Sequence, residues 1–121
     1  MTDRLDVVGI GNAMVDAIVP SNKNEIEKHQ INRDSMNLID EDLKNNLHNS
    51  YSIKEMVGGG SLGNSMFGIT SFGGNGSFIG KIKNDDIGTY LQKDMVREGL
   101  KFPLGFTSPD ISTGCCTIFV E

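Results

Sequence analysis

The chain has 121 residues with a formal net charge of −5, and only 37% of its residues are hydrophobic. This length suits one modest domain, while the negative charge and the lack of a basic run argue against nucleic acid or an anionic membrane as a partner. No apolar run approaches the roughly 20 residues of a membrane span, and the polar N-terminus does not resemble a signal peptide. We therefore expect a soluble, cytoplasmic protein.

A buried strand of a parallel sheet is predicted over residues 5–10, where the chain is almost continuously apolar. Gly9 and Gly11 have the spacing that opens a dinucleotide-binding fingerprint. Met14 stands at the third glycine position, and residues 13–19 continue as an apolar, β-leaning stretch instead of opening a crossover helix. The pattern therefore disfavours a dinucleotide site.

Two polar residues after this strand, Asn12 and Asp16, are candidates for binding a polyol. A carboxylate can accept hydrogen bonds from two hydroxyls at once, and such charge-assisted bonds are strong. Ligands of open α/β sheets bind at the carboxyl ends of the strands, where these residues are expected. Taken alone, Asp16 is more simply explained as a turn residue that bonds its own backbone. In combination with the glycine loop described below, the sugar contact is favoured.

The segment between residues 22 and 57 is predicted to contain short elements. Ile26 is the apolar anchor of an otherwise polar stretch, and Asp40 is placed to cap a helix. Leu43 and Leu47, four residues apart, predict one apolar face for that helix. In chain order we expect a surface helix within residues 22–30, a strand over 36–39, a helix over 41–48 and a strand over 52–57.

The glycine-rich segment from residue 56 to residue 82 is the most informative part of the chain. Three glycines, residues 58–60, precede Ser61, which is placed to cap a helix. Gly73 and Gly74 are expected to end that helix, and a strand is predicted over 77–82. The apolar stripe of the helix consists of Leu62, Met66, Ile69 and Phe72.

A glycine loop before a helix can approach a ligand closely. Glycine has no Cβ, and the first turn of a helix offers unpaired amides at its positive end. Asn64 lies in that turn, where its carboxamide can donate to and accept from a polar ligand. The alternative is a flexible turn with Asn64 as a solvated surface residue, and the spacing alone favours neither.

The last third of the chain predicts one helix and one strand. The segment Asn84-Asp85-Asp86 places acidic residues at the positive end of a helix that Gly99 closes. Residues 100–106 are expected to be extended, and the β-branched and apolar residues at 112–120 predict a strand. The buried stripe of the helix is expected to comprise Ile87, Tyr90, Leu91 and Met95.

Histidines and cysteines do not form a recognisable site in the sequence. His29 and His48 are isolated, without the spacing of metal ligands, and we expect both to be solvated. Cys115 and Cys116 are neighbours, so they cannot build a disulfide framework. On opposite faces of a strand they are better explained by packing than by redox chemistry.

The segment GGGSLGNSMFGITSFGGNGSFIGKI resembles the first signature of the PfkB (ribokinase-like) family of ATP-dependent sugar and nucleoside kinases. The matching positions are Gly59, Gly60, Asn64, Ser65, Gly73 or Gly74, and Gly80. The spacing of Asn12 and Asp16 is similar to that of the adenosine kinase-like branch. The resemblance implies an α/β fold, the N-terminal part of a ribokinase-like three-layer α/β/α fold with a small β-sheet lid. Its core would comprise about 1–16 and 40–100, and its lid strands about 17–39 and 101–121.

The resemblance also implies a function, phosphorylation of the hydroxymethyl group of a sugar or nucleoside. Substrate-binding residues would be Asn12, Asp16, Gly59, Gly60 and Asn64, and lid residues would be Met36, Leu38, Cys115 and Thr117. The complete enzymes of the family use ATP and Mg²⁺. Their second signature, Asp-Thr-x-Gly-Ala-Gly-Asp, supplies the catalytic base and does not occur in this sequence. We therefore expect this chain alone to be inactive and not to bind ATP or Mg²⁺ strongly.

Two other functions are consistent with the pattern. Uncovered sheet edges and apolar faces would suit an interaction or complementation module without catalysis, which dimerises through lid strands or pairs with a C-terminal half. A flavodoxin-like phosphate or nucleotide binder is the third reading, and its stabilisation by ATP or FMN, but not by ribose or adenosine, would distinguish it.

Overall fold

The structure, a computed structural model, describes residues 4–121. Strands and helices alternate along most of this part of the chain, as expected for an α/β fold. The elements are β1 (Val7–Ile10), β2 (Met14–Pro20), α1 (Lys23–Lys28), α2 (Glu41–Ser50), β3 (Glu55–Gly59), α3 (Ser61–Ser71), β4 (Gly76–Ile79), α4 (Asp86–Arg97) and β5 (Gly114–Val120).

The strands form two small sheets within the described residues. β1 and β4 pair in parallel, with Val7 opposite Gly76 and Ile10 opposite Ile79. The second sheet has the strand order β3-β2-β5. The parallel strand predicted at residues 5–10 is confirmed, but its predicted burial is wrong. Ile10 is 76% exposed, whereas the glycines Gly9 and Gly11 are the positions that α3 approaches closely, through Leu62 and Met66.

Backbone contacts divide the described chain into two units, and the boundary falls within β2, β3 and β5. The first unit contains Val57–Cys116 and the described part of Met1–Asp16. Its buried core includes Met66 from α3, Phe78 from β4 and Leu91 from α4. Phe78 also stacks on Phe102, with ring centroids 6.1 Å apart. In this unit α3 packs against β4 and β1.

The second unit comprises Ala17–Met56 and Thr117–Glu121. Asp40 caps α2 as predicted, since its side chain accepts from the backbone N–H of Leu43 at 2.8 Å. The prediction that the histidines are solvated is wrong. His29 is hydrogen-bonded to the Tyr51 hydroxyl and His48 to Thr117, each at 2.7 Å in a half-buried position.

The strand predicted over residues 36–39 does not form. Met36 and Leu38 are 82% and 90% exposed and lie in an irregular segment, so their alternation does not create a lid face. The Asn37 side chain donates to the backbone carbonyls of Asn32 and Ser35, at 3.1 and 3.3 Å. Such local side-chain bonds close a turn and compete with strand pairing.

α3 departs from its prediction at both ends. Gly60, at φ 82°, occupies the N-cap position without a side-chain hydrogen bond, so Ser61 is the first helical residue and does not cap the helix. Phe72 follows the last helical residue and is 94% exposed, outside the buried stripe. Gly73, at φ 87°, terminates the helix as predicted. In α4 the predicted stripe is confirmed at Ile87, Leu91 and Met95, while Tyr90 is half-buried.

Candidate functional site

The bend between β3 and α3 depends on a single glycine. Gly58 and Gly59 belong to β3, and only Gly60 makes the turn into the helix. Its φ of 82° lies in the left-handed region that side chains rarely adopt. A strand therefore runs directly into a helix N-terminus, where backbone amides of the first turn lack intrahelical partners.

Asp16 lies against the last residue of β3. A Cβ on residue 59 would lie only 2.5 Å from Oδ2 of Asp16, so the carboxylate occupies the space that the glycine leaves open. Asp16 is half-buried within β2, and this position contradicts the alternative that it is a turn residue. Among residues 4–121, no donor hydrogen-bonds to its carboxylate. Both oxygens therefore remain available as acceptors.

The other predicted substrate-binding residues surround the same bend. A Cβ on Gly60 would lie 3.4 Å from the backbone carbonyl oxygen of Asn12. The backbone N–H of Asn64 donates to the carbonyl of Gly60 at 2.9 Å. Asn12 and Asn64 are both exposed. The structure thus brings the five predicted residues to one strand-to-helix bend; that they bind substrate stays a prediction.

On β5, Cys116 lies closer to this site than sequence reasoning indicated. Burial and the nearby charge of Asp16 raise the pKa of the Cys116 thiol. Cys115, one of the predicted lid residues, is half-exposed. Thr117 is the other predicted lid residue on this strand, and its hydroxyl is hydrogen-bonded to His48. Strand pairing between β2 and β5, which no sequence spacing reveals, determines which side chain of β5 lies near Asp16.

Behind the bend, a buried acidic residue holds β3. The backbone N–H of Gly58 donates to Oδ2 of Asp94 at 3.3 Å. Asp94 is only 8% exposed and also accepts a hydrogen bond from the Arg97 guanidinium. Sequence reasoning missed this contact, although an acidic residue between Leu91 and Met95, on the apolar stripe of α4, is a signal for it.

A cavity of about 800 Å³ opens at the carboxyl ends of the parallel strands β1 and β4. Ligands of open α/β sheets bind at such ends. Asn12 belongs to both the cavity wall and the bend, so the two features are continuous. The wall includes the apolar side chains of Ile10, Met14 and Leu104 and the polar side chains of Asn12, Lys81 and Thr107.

Two further classes of site are absent from residues 4–121. This part of the chain contains no group of three or more His, Cys, Asp or Glu side chains that could hold a metal ion. None of its helices has the length and apolarity needed to cross a membrane.

Solved structures are similar to nearly the whole chain, whereas no protein-family model and no curated protein sequence matches it. A probable sugar kinase from Rhizobium etli CFN 42 is 31% identical, with a TM-score of 0.77 over 97% of this chain. The adenosine kinase from Sinorhizobium meliloti is 32% identical, with a TM-score of 0.80 over 96% of this chain. This chain covers 36% of each of those two proteins.

A third similar structure is the adenosine kinase from Schistosoma mansoni in complex with 2-fluoroadenosine. It is 21% identical with a TM-score of 0.75, which supports the fold alone. The fold and the bend between β3 and α3 thus define the N-terminal part of a ribokinase-like α/β fold, as predicted. The chain is thus similar to the N-terminal part of sugar and adenosine kinases of the PfkB (ribokinase-like) kind.

Proposed function

We propose that this chain provides the substrate-binding part of an ATP-dependent sugar or nucleoside kinase of the adenosine kinase-like type. The observation that carries the proposal is the Asp16 carboxylate, which lies against Gly59 with both oxygens free of hydrogen-bond donors within residues 4–121. A half-buried carboxylate in this state can accept from two neighbouring hydroxyls of a polyol.

The residues around Asp16 have complementary roles in this proposal. Gly59 leaves room for the carboxylate, because it has no Cβ. The exposed carboxamides of Asn12 and Asn64 can donate to and accept from further hydroxyls. The unpaired amides at the start of α3 favour a partial negative charge on the bound ligand. In this proposal the substrate is bound by neutral carboxamides together with one carboxylate.

Transfer of a phosphoryl group requires further groups besides the substrate-binding residues named above. ATP would supply the phosphoryl group, and Mg²⁺ would neutralise its charge. No acidic cluster in residues 4–121 fits a metal ion, and the sequence lacks the signature that carries the catalytic base. We therefore expect the isolated chain to form no phosphorylated product from Mg-ATP and adenosine. A cytoplasmic location and a lid that covers the bound substrate belong to the same proposal.

The test is the binding of adenosine and of ribose, measured by isothermal titration calorimetry. Asp16→Asn removes the charge at nearly constant size and is expected to weaken binding by about tenfold or more, because hydrogen bonds to charged groups contribute roughly 1.5–3 kcal/mol. Asp42→Asn, an exposed position on α2, is the matched control and should bind like the unmodified chain. Equal affinities in Asp16→Asn and the unmodified chain would refute the proposal.

A second candidate function, complementation without catalysis, is favoured by the exposed side chains of β1. Val7, Val8 and Ile10 are apolar and exposed on a strand of a two-stranded sheet, and such surfaces pair with other chains. Light scattering of the chain alone, and mixed with the C-terminal two thirds of the Sinorhizobium meliloti adenosine kinase, tests this function. A heterodimer supports it, and two unchanged monomer peaks contradict it.

A further inference from the structure

Asp94 is the only acidic or basic side chain that is buried within residues 4–121. It lies on α4, whose buried stripe also includes Leu91 and Met95. A charge at such a position costs free energy unless hydrogen bonds replace those that water would make. An apolar side chain of similar size is often at least as stable there. The carboxylate at this position therefore indicates that a particular partner needs it.

The two oxygens of Asp94 have different partners. Oδ2 accepts from the backbone N–H of Gly58 at 3.3 Å, and Oδ1 accepts from the guanidinium of Arg97. The Arg97 side chain is 65% exposed and also lies 3.9 Å from a carboxylate oxygen of Glu98. An exposed cation of this kind contributes little to stability. The backbone amide of Gly58 is therefore the partner that explains the buried carboxylate.

Gly58 needs this partner because β3 is an outer strand of its sheet, in the order β3-β2-β5. Amides on the outer edge of such a strand have no neighbouring strand to bond to. A Cβ on Gly58 would lie 3.0 Å from Oδ2 of Asp94 and 2.8 Å from the ring of Phe67 on α3. The backbone at residue 58 is thus in close contact with side chains of both helices of this unit.

On the opposite side of the strand, the next residue meets the candidate site. Successive residues of a strand face opposite sides, and a Cβ on Gly59 would lie 2.5 Å from Oδ2 of Asp16. The backbone of these two glycines therefore lies between two carboxylates, Asp94 on one side and Asp16 on the other. Glycine has wide backbone freedom, so the sequence at this strand end does not by itself keep Gly59 in place.

We propose that Asp94 is a positioning residue, which holds the end of β3 through the Gly58 N–H so that Gly59 stays against the Asp16 carboxylate. The position of Gly59 is a property of the free chain, whereas the consequence for adenosine affinity rests on the function proposed above. A carboxamide at residue 94 can also accept from the Gly58 N–H. A methyl group or an isobutyl group cannot.

The experiment measures two properties of the full chain, the amide resonances of Gly59 and Gly60 by NMR and the affinity for adenosine by calorimetry. Asp94→Ala should shift both resonances and weaken adenosine binding by about tenfold or more. Asp94→Leu fills the space without an acceptor and should have the same effects. Asp94→Asn should restore both properties to within about twofold of the parent affinity. Arg97→Gln leaves the acceptor in place and should resemble the parent.

A matched control separates positioning from a general loss of stability. Phe102→Leu removes the ring that stacks on Phe78 in the core of the same unit and leaves the hydrogen bonds of β3 intact. Urea denaturation should show a lower midpoint for this variant. Its Gly59 and Gly60 resonances and its adenosine affinity should remain those of the parent.

The outcomes distinguish this proposal from the proposed function. Unshifted Gly59 and Gly60 resonances in both Asp94→Ala and Asp94→Leu would overturn the positioning role. Equal effects of Asp94→Asn and Asp94→Ala, equal effects in Phe102→Leu, or shifted resonances with parent affinity for adenosine would overturn it too. If the parent binds no adenosine, the substrate-binding proposal fails, and the positioning role stands only where the resonances shift in Asp94→Ala and not in Asp94→Asn.

Discussion

At residue 59, the absence of a side chain determines where a charged neighbour lies. The Asp16 carboxylate fills the space above the Gly59 Cα, with Oδ1, Oδ2 and Cγ all within 2.6 Å of where a Cβ would be. These are distances that real atoms do not adopt, so any side chain at 59 must push the carboxylate away. The glycine and the carboxylate therefore form one unit of the candidate site.

Gly59→Ala is expected to weaken adenosine binding by about tenfold or more, because it displaces the Asp16 carboxylate. Calorimetry measures the affinity, and circular dichroism checks that the fold is retained. Gly68→Ala is the control: a Cβ there would meet nothing within 4 Å, and in a helix interior it should stabilise the chain by roughly 0.5–1 kcal/mol. If Gly59→Ala binds adenosine normally, Asp16 is not a ligand in the observed position.

At the scale of elements, the N-terminus of α4 is tied to the start of β5. The Asp85 side chain caps the helix by accepting from the N–H of Gly88 at 2.7 Å. It also accepts from the backbone N–H and the hydroxyl of Thr113, at 3.0 and 2.8 Å. One carboxylate thus positions a helix and a strand together, in a place where Gly88 touches the preceding loop at Lys83.

Gly88→Ala is expected to destabilise the chain by about 1–3 kcal/mol, since its Cβ would overlap the carbonyl oxygen of Lys83 and crowd Thr113. Urea denaturation measures the free energy of unfolding. Lys93→Ala, at an exposed position on the same helix, should stay within about 0.5 kcal/mol of the parent. An equally small effect for Gly88→Ala would show that the α4 N-terminus can move away from residue 83.

The elements that sequence reasoning predicted best are those with strong local signals. In α4, an acidic cap, an apolar stripe and the closing Gly99, at φ 90°, all indicate a helix with the same bounds. Agreement between such local signals specifies a helix. Residues 36–39 lack such agreement, because the turn made by Asn37 competes with their apolar alternation. Ser61 was a reasonable cap by residue type, but the turn already occurs at Gly60.

At the scale of the whole molecule, the free energy of unfolding should depend on pH through His48. Burial and the charge of Lys44 lower its pKa below the ordinary value of 6.5. An unfolded chain therefore binds a proton at a pH where the folded chain does not. The contribution is fully present above the ordinary pKa, and stability declines as pH falls below it.

Urea unfolding at about pH 8 and at about pH 5 tests this dependence. We expect a lower free energy of unfolding at the acidic pH, and a smaller loss in His48→Gln, whose amide does not titrate and can still bond to Thr117. The variant His29→Gln is the comparison, because the ring of His29 also forms a hydrogen bond to a hydroxyl. A pH dependence that is the same in His48→Gln and the parent would contradict the assignment.

The sequence by itself determined the features that depend on neighbouring residues. These are the α/β alternation, α4 with its stripe, the glycine bend before α3 and the resemblance to a kinase family, because caps, periodicity and glycine spacing act over a few residues. Only the tertiary structure decided that Asp16 lies on Gly59, that Cys116 lies near Asp16 and that Asp94 binds the backbone of Gly58. These contacts join elements far apart in the chain, and strand register and close backbone approach, which no local pattern encodes, bring them together.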